Sequence, residues 1–179
     1  MNNIRPFCII SIDGNFNKFS LNFSKLNSSF CFVIDSHKEL NGSELKEKTE
    51  DFYNVIIVLA LGGRYANEKL LKLLEILKDK NCLIVASTPF DFEGKKRNKI
   101  ANEILEILES KNVNKIVFYS RSFFKKWKEE DLANFKDIYS FVNVQLIETI
   151  NKVIEANKFI QEDYQEDYQE DYQEDYQEY

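Results

Sequence analysis

The chain has 179 residues, 44% of them hydrophobic, which sets the expectation of one domain with a core, at most with a tail. Its formal charge of −6 is uneven: nine of the 30 acids lie in 161–179, which has no lysine or arginine, so 1–160 holds 24 basic residues against 21 acids. The basic residues are scattered beside acids, as on solvated faces, so nucleic acid is not an expected partner. No apolar run reaches membrane-spanning length, and the N-terminus lacks a signal-peptide pattern, so a cytoplasmic location is expected. Cys8, Cys31 and Cys82 each fall inside an apolar run. Their odd number and expected burial imply free thiols in a reducing compartment.

In chain order, Phe7 to Ile12 is an apolar run that predicts the first strand. Asp13-Gly14-Asn15 turns it. Phe16, Phe19, Phe23 and Leu26 are spaced three to four apart, which predicts an amphipathic helix. Phe30 to Ile34 predicts a second strand, followed by a polar loop over Asp35 to Asn41. Ser43 to Asp51 predicts a short charged helix with Ser43 as its cap. Asn54 to Leu61 is the longest apolar run and predicts a central strand, ended by Gly62-Gly63. Leu70, Leu71, Leu73, Leu74 and Leu77 form the wide apolar face of the next helix.

Cys82 to Ala86 predicts a fourth strand. Pro89 ends it, because proline has no N–H to give a ladder. A helix from about Glu93 to Ser110 follows, with Ile100, Ile104, Ile107 and Leu108 at helical spacing, and then a strand over Lys115 to Tyr119. Ser122 to Phe135 reads as a short irregular helical region. Ile138, Val142, Leu146, Ile150, Val153 and Ile154 mark a long final helix ending near Phe159. The chain therefore divides into a domain over 1–160 and a tail over 161–179. The tail is four copies of Gln-Glu-Asp-Tyr and then Gln-Glu-Tyr, and disorder is its expected state because adjacent acids have no basic partners.

Alternating strands and helices predict an α/β fold: a doubly wound, mostly parallel sheet with helices on both sides and a long C-terminal helix. Such sheets bind ligands at the carboxyl ends of their strands. Gly14, Gly62, Gly63 and Gly94 fall just beyond predicted strand ends, and Gly42 lies in the loop after the second strand. Glycine belongs in turns in any case, but none lies at the opposite rim. No P-loop, GxGxxG or GxSxG pattern is present. His37 is the single histidine, and the cysteines lack CxxC spacing, so neither a metal site nor a catalytic group is expected. Glu93 and Arg97 have the i, i+4 spacing of a helical ion pair.

Thr88-Pro89-Phe90-Asp91-Phe92-Glu93-Gly94-Lys95-Lys96-Arg97 resembles the KPFxFEGxxR segment of FtsZ, the bacterial tubulin relative. Other matches follow in order. Phe52 to Gly63 resembles the strand and loop ADMVFIxAGMGGGTGTG, Phe30 to Leu40 the VEFIAINTDxQAL segment, and Lys111 to Phe124 VDTLIVIPNDRLL. Ile9 to Asn17 is a thin echo of GVGGGGGNAVN, and the final helix is similar to the family's core helix. The resemblance covers roughly residues 6 to 155 and implies a Rossmann-like sheet of the FtsZ/tubulin GTPase-domain type. It implies GTP or GDP as cofactor, held by Gly14, Asn15, Gly62, Gly63, Arg64, Glu93 and Arg97.

The departures have consequences. The family's GGGTGTG loop lets backbone approach phosphates, whereas here Gly62-Gly63 is followed by Arg64-Tyr65-Ala66-Asn67-Glu68. Glu68 and Asp13 bring negative charge to the phosphate side, which Arg64 partly offsets. The family's guanine-reading Asn aligns with Ser120, and the Asp of its core helix falls near Tyr139 or Phe141. The loop before Asn54 is shortened, and the second domain, which positions water on a neighbour's GTP, has no counterpart. The leading expectation is a divergent, truncated FtsZ-like cell-division or cytoskeletal protein, a pseudo-GTPase that acts by contact with FtsZ or itself through the strand carboxyl ends. GTP binding is weakened or lost in that reading, and there is no autonomous hydrolysis. Gly62, Gly63, Glu93 and Arg97 motivate the alternative of a GTP-binding FtsZ-family protein with relaxed phosphate loops. A decayed, non-functional FtsZ remnant is the third reading.

Overall fold

Five apolar runs form five parallel strands: β1 (Phe7–Ile12), β2 (Ser29–Ile34), β3 (Asn54–Ala60), β4 (Asn81–Ser87) and β5 (Asn114–Phe118). The sheet order is β2-β1-β3-β4-β5. The computed structural model describes residues 7–12, 29–35, 38–120, 122 and 138–156. The helix expected between Phe16 and Leu26, most of the irregular region after Ser122, and the tail lie outside them.

Burial on both faces explains why the strands read as continuous apolar runs. Every residue of β1 is buried, and so is every residue of β3 but Ala60. The two faces alternate. Cys8, Ile10, Ile12, Val55, Ile57, Leu59, Ile84 and Ala86 point into one core, and Phe7, Ile9, Ile56, Val58 and Val85 into the other.

Among the described residues, three helices cover the first face: α1 (Gly42–Thr49), α2 (Arg64–Ile76) and α3 (Lys95–Ser110). They present Leu45, then Leu70 and Leu73, then Ala101, Ile104 and Leu108 to it. The handedness rule accounts for their side. The steps β2 to β3, β3 to β4 and β4 to β5 all move the same way across the sheet, so right-handed crossovers place all three helices on one face. A helix over 138–156, α4, covers the second face with Ile138, Val142, Leu146, Ile150 and Ile154, spaced three to four apart. The expected doubly wound sheet with a long C-terminal helix is therefore present.

Two helix starts differ from expectation. The cap of α1 is Asn41, not Ser43: its Oδ1 accepts the N–H groups of Ser43 at 3.1 Å and Glu44 at 3.3 Å. The helix expected from Glu93 is broken at its start. Asp91–Glu93 is a single 3-10 turn, and Gly94, at φ 99°, separates it from α3.

Candidate functional site at the carboxyl rim

The chain leaves β1 for β2 on one side of the sheet and β3 for β4 on the other. The crevice of an open α/β sheet lies where the direction reverses, here above the ends of β1 and β3. Gly62, Gly63 and the first turn of α2 stand at that point. The first N–H groups of any helix have no intrahelical partner, and in α2 the first intrahelical bond is from Asn67 N–H to the Gly63 carbonyl, 3.0 Å. Arg64 is exposed on this turn, its Nε 3.1 Å from Glu68 Oε1.

The two glycines differ in what they do. Gly62 is buried with φ 87°, and a Cβ there would lie 2.5 Å from Pro89 Cγ and 2.7 Å from the Arg97 carbonyl oxygen. Its missing side chain makes room for the protein's own β4–α3 connection. Gly63 has φ −86° and ψ 120°, and a Cβ on it would meet only Ala66 Cβ, at an ordinary 3.6 Å. The space beside Gly63 is open in a way the space beside Gly62 is not.

Glu93 and Arg97 do pair, Arg97 Nη1 with Glu93 Oε2, but across Gly94 from a 3-10 turn to α3 and not along one helix as their spacing implied. The Glu93 side chain is only 9% exposed, against 46% for Arg97. Glu93 Oε1 accepts the Phe90 N–H at 3.0 Å. Tyr139, reaching over from α4, makes a side-chain hydrogen bond to the same carboxylate. Burial first, and the negative Glu93 second, push the Tyr139 phenol above its ordinary pKa, so it stays protonated and donates. Phe90 stacks on Phe92, centroids 5.1 Å apart, and meets Tyr139 edge-on at 5.6 Å.

A second fastening closes the rim between β4 and β5. The Thr88 N–H donates to the Phe118 carbonyl at 2.9 Å, and Ser120 N–H donates to Thr88 Oγ1 at 3.0 Å. The Ser120 hydroxyl donates to the Thr88 carbonyl. Ser120 is fully buried, its donor turned into the rim.

Of the seven expected site residues, Gly62, Gly63, Arg64, Glu93 and Arg97 gather on the β3–β4 half of the rim, with Gly62 against the Arg97 backbone. Gly14 and Asn15 lie outside the described residues. Three groups join this site beyond the seven expected residues. Tyr139 stands in the sequence only as a position near the family's core-helix Asp, and its contact needs the docking of α4; Thr88 stands there only as the first residue of the resembling segment; and the rim exposes Tyr65 (55%), Phe92 (46%) and Tyr119 (55%). That last signal was available, since each aromatic falls just beyond a strand or at a helix start. Among the described residues no three His, Cys, Asp or Glu side chains group as metal ligands. No helix among them is long and apolar enough to cross a membrane.

No protein-family model and no curated protein matches the chain. Among solved structures, one described as an empty FtsZ dimer from M. jannaschii superimposes with a TM-score of 0.69 at 18% identity. The match covers 84% of this chain and 55% of that one, so the chain spans about half the length of the structure it matches. The architecture is thus an FtsZ/tubulin-like, Rossmann-like α/β fold.

Proposed function

We propose that the chain is a divergent FtsZ-like cytoskeletal protein that works by protein contact through the carboxyl rim of its sheet. It docks there on FtsZ or on a second copy of itself, and its binding of GTP or GDP is weakened or lost. The observation that carries this reading is the Glu93 carboxylate. One oxygen accepts the Phe90 N–H, the other pairs with Arg97, and Tyr139 bonds to the same group. A nucleotide's sugar or base would have to displace these partners, and a buried carboxylate stripped of them is costly. The fully buried Ser120, donating to the Thr88 carbonyl, has no spare hydroxyl proton for a base. The exposed Tyr65, Phe92 and Tyr119 are the kind of rigid, amphipathic side chains that anchor protein interfaces.

The test has two arms. Titration of the full chain with a fluorescent guanine nucleotide is expected to give no signal up to millimolar nucleotide. Co-sedimentation with FtsZ filaments, or self-association in the ultracentrifuge, is expected to be positive and to be lost in a Tyr65→Asp/Phe92→Asp variant of unchanged circular dichroism. Absence of both contacts overturns the reading.

The open space at Gly63, and an α2 N-terminus beside Arg64 that has no side-chain cap, favour one alternative, a GTP-binding protein with relaxed loops. Saturable nucleotide binding that falls in Arg64→Ala would put this alternative first.

A further inference from the structure

At the opposite rim, a groove of about 830 Å³ opens between the C-terminal ends of α2 and α3, over the starts of β4 and β5. Its lining is two-natured. Leu71, Leu74 and Val113 are apolar, while Lys78, Lys80 and Lys111 supply cations against one acid, Glu75. Lys80 is held by the Glu50 carbonyl at 3.1 Å. Lys78 and Lys111 are exposed and have no ion-pair partner among the described residues. The last carbonyls of a helix carry partial negative charge, which favours lysine side chains there but leaves their ammonium groups free for a further acid.

The chain contains a segment with the matching chemistry. Residues 161–179 repeat two adjacent acids and a tyrosine with no base among them. The path of α4 brings that segment to the right end of the molecule. Tyr139, in its first turn, bonds Glu93 at the carboxyl rim. The helix then packs down the sheet in one cluster with Phe7, the first residue of β1. Its span, 138–156, is roughly 28 Å at the usual rise. That exceeds the roughly 23 Å of a seven-residue strand, so α4 ends at the amino rim. From there to the groove is one sheet and two helix layers, on the order of 20 Å. Residues 157–163, extended, span roughly 23 Å, so the repeats begin within reach.

We propose that the Gln-Glu-Asp-Tyr tail docks in this groove within its own chain. Acids pair with Lys78 and Lys111, and a tyrosine ring lies on Leu71, Leu74 and Val113. Tethering supplies an effective concentration on the order of millimolar, so weak intrinsic affinity suffices for occupancy. The four-residue repeat offers equivalent registers, which adds to the occupied fraction without any one register being tight. The docking stands apart from the carboxyl-rim reading, since it uses the other end of the sheet.

Zero-length carbodiimide cross-linking of the full chain, read by mass spectrometry, tests this. Cross-links from Lys78 and Lys111 to acids within 162–178 are expected to exceed those from the exposed Lys99 and Lys152 several-fold. They should fall in 0.5 M salt, where exposed charges are screened. Repeating the reaction on an equal mixture of light and heavy-isotope chains is expected to leave the tail cross-links within single chains. Heavy-to-light links would overturn the proposal in favour of a second copy's tail, and links spread evenly over all exposed lysines would overturn it outright. As a second measurement, Lys78→Glu/Lys111→Glu in the full chain is expected to raise hydrogen exchange at Asn112 and Val113, whereas unchanged exchange counts against docking.

Discussion

Gly62 and Gly63 are neighbours in sequence and opposites in constraint, and substitution separates them. In Gly62→Ala the new Cβ meets Pro89 Cγ at 2.5 Å and the Arg97 carbonyl at 2.7 Å, on a backbone at φ 87°. Overpacking and left-handed strain add, so a loss of about 2–4 kcal/mol is expected in urea titration. Gly63 sits at the cap position of α2 with extended backbone and no side-chain cap. Gly63→Ser is therefore expected to leave stability unchanged or raise it by a few tenths of a kcal/mol. If the two variants cost the same, the packing account of Gly62 is wrong. The sequence showed both glycines at a strand end. It did not show which one the fold needs, because that depends on a β4–α3 connection packed across from them. Glu93 and Arg97 were legible as a pair from spacing alone, whereas the third member of their group, Tyr139, lies far along the chain and meets them only once α4 has docked.

At the level of elements, the strands were readable because a parallel sheet covered on both faces leaves no polar positions to interrupt an apolar run. Val55 to Leu59 is buried without a break. Helix starts were less readable, since a cap is chosen by local backbone angles. Asn41 and Ser43 both suit the position, and the extended backbone at Asn41, φ −82° and ψ 103°, decides it. Asn41→Ala is thus expected to cost about 1 kcal/mol and Ser43→Ala a few tenths at most, measured by thermal or urea unfolding. A larger cost at Ser43 would return the cap to it. The bond between α4 and the β4–α3 connection has a similar test. Tyr139→Phe keeps the edge-on ring against Phe90 but removes the donor to the Glu93 carboxylate. A loss of about 1.5 kcal/mol is expected, the size of a hydrogen bond to a charged group. An unchanged urea midpoint would mean that Arg97 and the Phe90 N–H suffice for Glu93.

Across the whole molecule, burial acts on the acid–base groups in one direction. It pushes the Cys8 thiol up to about 12 and those of Cys31 and Cys82 up to about 11, and it raises the Tyr139 phenol as well. In the unfolded chain the thiols ionise near 9.0 and the phenol near 10.0. Above those values the unfolded state has released protons that the folded state still holds, so rising pH favours unfolding. The stability these four groups contribute is whole below about pH 8 and is lost as pH climbs through their folded values. The urea midpoint is therefore expected to fall steadily between pH 8.5 and 10.5, and Cys8→Ala is expected to make that fall shallower. A flat alkaline limb in the parent chain would contradict the burial of these groups. The thiols also rank the sheet. Cys8 is fully buried on β1, which is paired on both sides, whereas Cys31 is half-buried on the edge strand β2. Alkylation of Cys31 should thus follow local opening of the edge, and alkylation of Cys8 should follow global unfolding, slowing in step with any variant that stabilises the fold.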